Sequence, residues 1–239
     1  IMALPKVETP TYELTLPSAD VVIKYRPFLV REEKILLLAQ EEGKPQGIQN
    51  AIMDIVKSCT FDSFDVAKAP MFDIEYVFLN IRAKSVGEVQ EIRVLCPDDK
   101  KTYGKIEVNL NEVMVQVDDD HTNKVMIDKA RSLGVVFRYP CLADMTDELV
   151  DAKTDINNIM DLIIKSVDHI FEGDKIYPAK ESTKEELNDF FSDMNQESFG
   201  QVRKIFETMP RLRHEVEVEN PKTKVKSKVV LSGVNDFFV

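Results

Sequence analysis

The sequence predicts an α+β fold in which helices cluster with antiparallel β-hairpins and no parallel doubly wound sheet forms. Three observations carry this. Strand-like and helix-like stretches come in clusters rather than in strict alternation, which is the α+β arrangement. Pairs of alternating runs flank short turn sequences and so read as local hairpins. The helical stretches carry apolar residues at spacings of three and four.

In chain order, Tyr12, Leu14 and Leu16 alternate with Thr11, Glu13 and Thr15, the period of a half-buried strand. Pro17-Ser18-Ala19-Asp20 is a turn, residues 21–25 form the returning strand, and Pro27 ends the hairpin. Residues 30–42 are helical, with Ile35, Leu38 and Ala39 on one face, and Gly43 and Pro45 stop them. A second helix carries Ile48, Ala51, Ile52, Ile55, Val56 and Cys59. A third starts at Pro70 and buries Met71, Ile74, Val77, Phe78 and Ile81, with Gly87 just past its end. The middle is β-like: residues 92–95, 105–110 and 113–117, then 124–127 and 134–139. Helices return with the stripe Ile156, Ile159, Met160, Ile163, Ile164 and Val167. A tight hairpin centred on Glu172-Gly173-Asp174 follows. Ser182-x-x-Glu185 and Thr183-x-x-Glu186 both fit a capping box before Leu187, Phe190, Phe191 and Met194. A last helix carries Phe199, Val202, Ile205, Phe206 and Met209, and Pro210 ends it.

The closing segment is an acidic strand against a basic one. Glu215, Glu217 and Glu219 alternate with Val216 and Val218. After Asn220-Pro221, Lys222, Lys224, Lys226 and Lys228 alternate with Thr223, Val225 and Ser227. With an even number of loop residues all the charges share one face, and Val216, Val218 and Val225 face the core. A four-residue type I turn suits Asn-Pro better than a two-residue one. The charged row is either a solvated strand face or a docking surface, which makes Glu215, Glu217, Lys224, Lys226 and Lys228 candidate partner contacts. Phe237 and Phe238, at the extreme C-terminus, should dock on the domain itself or into a partner groove, since terminal residues need tying down. Phe61 and Phe64 flank a short loop. Residues 92–98 also resemble 216–222, a weak echo that two similar hairpins explain as well as a duplication does.

Length and charge bound the rest. The 239 residues suit one large domain or two small ones, with roughly 70% of the extended-chain surface buried on folding. Three segments are expected: residues 2–88 (hairpin plus helices), 89–140 (β-rich) and 141–239 (helical, ending in a hairpin), within what can be one continuous body. A net charge of −11 argues against a general nucleic-acid or anionic-membrane binder. Cys59, Cys96 and Cys141, odd in number and scattered, argue against a disulfide framework. No apolar run approaches the roughly 20 residues of a membrane-spanning helix. No signal-peptide pattern opens the chain, and Met2 is the expected initiator, with Ile1 extraneous.

The search for chemistry is mostly negative. Neither nucleotide-binding glycine fingerprint occurs, nor a nucleophile elbow, Cys-x-x-Cys or His-Glu-x-x-His. Cys96-Pro97-Asp98-Asp99 is half a zinc knuckle, with Asp99 where a second thiolate would stand. Asp118-x-Asp120-x-Thr122 lacks the glycine and glutamate that complete a calcium loop. His121, His169 and His214 are far apart with no nucleophile beside them, and read as hydrogen-bonded structural residues. The expectation is a non-enzyme with no cofactor and no metal.

Several long blocks resemble a known family. They are Pro10-Thr-Tyr-Glu-Leu-Thr-Leu-Pro-Ser18, Lys24-Tyr-Arg-Pro-Phe-Leu-Val-Arg-Glu-Glu-Lys-Ile-Leu-Leu-Leu-Ala39, and Phe72-Asp-Ile-Glu-Tyr-Val-Phe-Leu-Asn-Ile-Arg-Ala-Lys-Ser-Val-Gly-Glu88. Asp120-His-Thr-Asn-Lys124, Phe206-Glu-Thr-Met-Pro-Arg-Leu-Arg-His214 and Val229-Val-Leu-Ser-Gly-Val-Asn-Asp-Phe-Phe238 complete the set. Together they resemble the baseplate hub protein family of T-even-type tailed bacteriophages. The resemblance implies a viral protein acting in assembly of the central hub of a contractile-tail baseplate, as hub subunit or as assembly factor. Its partners would be other phage baseplate hub proteins, and it would be found in the host cytoplasm during assembly or in the virion tail baseplate. It implies no catalytic residue. Some relatives place paired cysteines in the hairpins corresponding to Cys96 and Asn220, and this chain retains only Cys96. The rival is a hub-associated cell-wall hydrolase, which needs two carboxylates roughly 5–9 Å apart in a cleft.

Overall fold

The computed structural model describes residues 8–141, 144 and 156–237, so Phe238 of the expected partner contacts lies outside the described residues. The expected fold class is observed: helices with small sheets whose described strand pairs are all antiparallel. The chain divides into one unit made of Ile1–Gln116 with Arg211–Val239, and a second, Val117–Pro210. The division differs from the boundaries near 89 and 140 expected above. The cause is strand pairing: the strand at residues 114–116 bonds to that at 211–213, so the second unit is an insertion between two adjacent strands of the first.

In the first unit β1 (Tyr12–Thr15) and β2 (Val22–Tyr25) form the expected hairpin, Tyr12 opposite Tyr25. Its turn is tied down by the buried carboxylate of Asp73, which accepts from the Ser18 N–H (3.2 Å) and the Ser18 hydroxyl. Helix α1 (Val30–Glu42) ends at Gly43, whose φ of 65° is the left-handed conformation a helix C-terminus favours. Helix α2 (Pro45–Cys59) buries Ala51, Ile52, Ile55, Val56 and Cys59, the expected stripe. Helix α3 (Met71–Val86) is the centre of the core. Phe72, Leu79 and Ala83 are buried beside the expected Ile74, Val77, Phe78 and Ile81, so it is covered on nearly every side.

Strands β3 (Val89–Leu95) and β4 (Tyr103–Asn109) make a two-stranded ribbon, and β5 (Met114–Gln116) joins a three-stranded sheet in the order β11-β10-β5. β10 (Arg211–Glu219) and β11 (Lys226–Ser232) are the charged hairpin. Gly104 of β4 lies against β10: a Cβ there would overlap the Val218 side chain and stand 2.9 Å from the Glu219 carbonyl oxygen. Phe237, in a short 3-10 turn at Val234–Phe237, is fully buried in this core. Of the two alternatives for the terminal phenylalanines, Phe237 takes the first, packing on its own domain; it is not a surface anchor.

The second unit is a meander, β6 (Lys124–Asp128), β7 (Leu133–Phe137), β8 (Val167–Glu172) and β9 (Lys175–Pro178), with helices α4 (Ile156–Lys165), α5 (Lys184–Ser192) and α6 (Gln196–Thr208). Its core is Val125, Val135, Phe137, Ile163, Ile164, Val167, Leu187, Phe191, Val202 and Ile205. Phe137 packs edge-on to Phe206 at 5.7 Å between ring centres. Of the two capping boxes that fit α5, the structure uses Thr183. The Thr183 hydroxyl accepts from the Glu186 N–H (3.2 Å), and the Glu186 carboxylate accepts from the Thr183 N–H (2.8 Å).

Candidate functional site

The charged hairpin forms as expected, but its pairing, its loop length and the place of Val225 differ. Backbone register sets Glu217 opposite Lys228 and Glu219 opposite Lys226. The ion pairs run diagonally instead: Lys228 Nζ to Glu215 (2.6 Å), Lys226 Nζ to Glu217 (3.0 Å) and Lys224 Nζ to Glu219 (3.8 Å). The Lys228 hydrogen bond holds the Glu215 carboxyl below its ordinary value, and the glutamates raise Lys226 and Lys228. Each of these three lysines is thus paired on its own face, so the ladder presents alternating charge rather than a basic strip. The loop holds six residues, 220–225, rather than four. The extra length leaves Val225 half exposed, while Val218 is fully buried and Val216 packs against the core.

α1 departs most from expectation. Of the expected Ile35, Leu38 and Ala39, the first two look outward and Ala39 packs against the core, where the helix is seated through Leu36 and Glu32. Val30 is 80% exposed, Leu37 54%, Leu38 51% and Ile35 43%. What turns the helix is its buried anchor. Glu32, 3% exposed, accepts from Arg26 Nη2 (2.9 Å), Arg31 Nε (2.9 Å), the Ser58 hydroxyl (3.1 Å) and the Leu29 N–H (2.8 Å). Burial alone would raise its carboxyl, but the bonds from Arg26, Arg31 and Leu29 prevail and hold it at about 2. The sequence does carry a signal for the outward face. Ile35-Leu36-Leu37-Leu38 are consecutive, and at about 100° per residue four neighbours cannot share one buried stripe.

Nearby, Phe61 and Asp62 are both left-handed (φ 57° each), and Phe61 is exposed while Phe64 is buried. The turn is fixed by the Asp62 N–H donating to the Lys57 carbonyl (3.0 Å) and the Ser63 hydroxyl to the Thr60 carbonyl (2.5 Å).

His121 and His169 are hydrogen-bonded, as expected. His121 Nδ1 lies 2.9 Å from the Thr208 hydroxyl and Nε2 3.3 Å from the Tyr139 hydroxyl. The Thr208 hydroxyl donates to the Lys204 carbonyl (2.8 Å), so the ring donates to it and accepts from Tyr139; burial lowers the histidine and favours that neutral form. His169 lies 2.6 Å from Asp168. A groove of about 980 Å³ in the second unit is lined by Ile127, Leu133, Leu187 and Phe190 and bears four carboxylates. Three of those have structural tasks. Asp128 accepts from the Ala130 and Arg131 N–H groups, Glu172 pairs with Arg131, and Glu186 caps α5.

The knuckle-like turn does not suit zinc. Positions 96, 99, 220 and 223 hold Cys, Asp, Asn and Thr, a set with one thiol. Asp99 is occupied by the Lys101 and Thr102 N–H groups and the Thr102 hydroxyl, and burial pushes the Cys96 thiol up, away from thiolate. Among the described residues no three His, Cys, Asp or Glu side chains converge to hold a metal ion.

No curated protein matches the chain. No solved structure matches it either. A family model described as "T4 bacteriophage base plate protein" matches residues 9–239, nearly the whole length, and the chain belongs to that family of phage baseplate proteins.

Proposed function

We propose that the chain acts in assembly of the central hub of a contractile-tail baseplate, as hub subunit or assembly factor, by binding other baseplate hub proteins and without catalysis. The observation that carries this reading is the outward face of α1, where four large aliphatic side chains stand in solvent on a helix held rigidly by the buried Arg26–Glu32 pair. Apolar surface of this kind marks protein–protein contact. Baseplate family membership supplies the class of partner. The work is placed in the host cytoplasm, where hubs would be built, with the virion tail baseplate as destination.

Co-expression with the phage's hub proteins tests it. The intact chain should co-purify with at least one of them, and Leu37→Glu/Leu38→Glu should lose that partner while melting within about 1 °C of the parent, because exposed sites tolerate substitution. Undiminished recovery by the double variant would remove α1 from the interface. Clearing of a peptidoglycan zymogram by the purified chain would overturn the non-catalytic reading in favour of the hydrolase.

A further inference from the structure

Two turns of the first unit are built alike. Cys96-Pro97-Asp98-Asp99-Lys100 follows β3, and Asn220-Pro221-Lys222-Thr223-Lys224 follows β10. In the first, the Cys96 N–H donates to the Thr102 carbonyl (2.8 Å) and the Lys100 N–H to the Cys96 carbonyl (3.0 Å). In the second, the Asn220 N–H donates to the Val225 carbonyl (2.9 Å) and the Lys224 N–H to the Asn220 carbonyl (2.9 Å). The fifth residue of each, Lys100 and Lys224, is left-handed, with φ of 51° and 64°. The first residue of each, Cys96 and Asn220, is fully buried. The weak sequence echo between these segments is therefore an echo of conformation.

The fold sets the two turns against each other. The Asp98 carboxylate accepts from the Asn220 amide at 2.9 and 3.1 Å, and from the Thr223 hydroxyl. The direction of the amide is fixed from its own side. Its oxygen accepts from the Lys222 and Thr223 N–H groups (2.9 and 3.3 Å), so its NH₂ must point at Asp98. Asn220 is a buried polar side chain with both ends used, and each bond to Asp98 is charge-assisted. The close approach of Gly104 to Val218 and Glu219 joins the same two hairpins a few residues away.

We propose that these paired turns are a metal-free clasp, in which Asp98 cross-links the β3–β4 and β10–β11 hairpins where a pair of cysteine knuckles would need a cation. A carboxylate offered to an amide and a hydroxyl joins the turns without thiolates, so the first unit folds independently of metal supply and of thiol oxidation.

A charge swap tests this. Asn220→Asp sets two carboxylates face to face and should cut the folding equilibrium constant about tenfold or more, read by urea denaturation. Adding Asp98→Asn restores an amide–carboxylate pair in reverse and should bring the constant back to within about threefold of the parent. EDTA should leave the parent's urea midpoint unchanged, and the purified chain should hold no stoichiometric zinc. If Asn220→Asp fails to fold, a double variant that folds is the rescue and supports the clasp. Additive or unrescued loss in the double variant, a midpoint lowered by EDTA, or one bound zinc per chain would each overturn it.

Discussion

Replacing Glu32 by Gln keeps the shape of the α1 anchor and removes its charge. The side chains of Arg26 and Glu32 are only 8% and 4% exposed, so the charge lost is one that water barely screens. A carboxyl lowered from 4.5 to about 2 corresponds to about 3 kcal/mol in favour of the folded ionised state. Breaking a buried pair from one side costs about 3–5 kcal/mol, which agrees. At about 2–4 °C per kcal/mol for a chain of this size, Glu32→Gln should lower Tm by about 6–12 °C at pH 7. The pH dependence follows from the sign. A carboxyl held below its ordinary value stabilises the fold above that value and loses the contribution as pH falls. The gap between parent and variant should therefore close between about pH 5 and pH 2. Thermal unfolding followed by circular dichroism reads both. A variant melting within about 2 °C of the parent at pH 7, or a gap unchanged at pH 3, would refute the role given to Glu32.

Phe237→Ala empties a fully buried site and should cost about 3–5 kcal/mol in urea denaturation, whereas a surface phenylalanine would cost almost nothing. Gly104→Ala drives a methyl into Val218 and the Glu219 carbonyl and should lower stability by about 1–3 kcal/mol by the same assay. Glu75 accepts from the Val234 N–H at 3.2 Å, and burial raises its carboxyl to about 7. A raised carboxyl favours folding below its unfolded value and loses that contribution as pH rises, so Glu75→Gln should gain on the parent in Tm between pH 5 and pH 8. Equal profiles would contradict this.

Much of the fold was legible because it is local. The hairpin at 12–25, the bounds of α1 and the box at Thr183 follow from alternation, glycine stops and capping chemistry within a few residues. What escaped depends on distant partners. Nothing near Met114 announces that β5 pairs with β10, so the insertion of the second unit was hidden and the segment boundaries fell elsewhere. The orientation of α1 is only partly legible: Ala39 packs against the core as expected, but its neighbours there are Glu32 and Leu36 rather than Ile35 and Leu38. The choice rests on a glutamate whose partners, Arg26 and Ser58, lie on other elements. The charged ladder follows from alternation, but which lysine meets which glutamate depends on side-chain reach across the strands, and the six-residue turn on bonds within residues 220–225. Cys96-Pro97-Asp98-Asp99 reads as half a knuckle in sequence because the bond that joins the two turns, Asn220 to Asp98, spans 122 positions.

The most direct measurement is lysine cross-linking of assembled hub complexes. Lys34 is exposed among the outward aliphatic residues of α1. Links from Lys34 to a different baseplate protein, with lower reactivity of Lys34 in the complex than in the free chain, are the predicted result. Equal reactivity in both states, with no link from Lys34 to any other chain, would contradict a protein that works through this face.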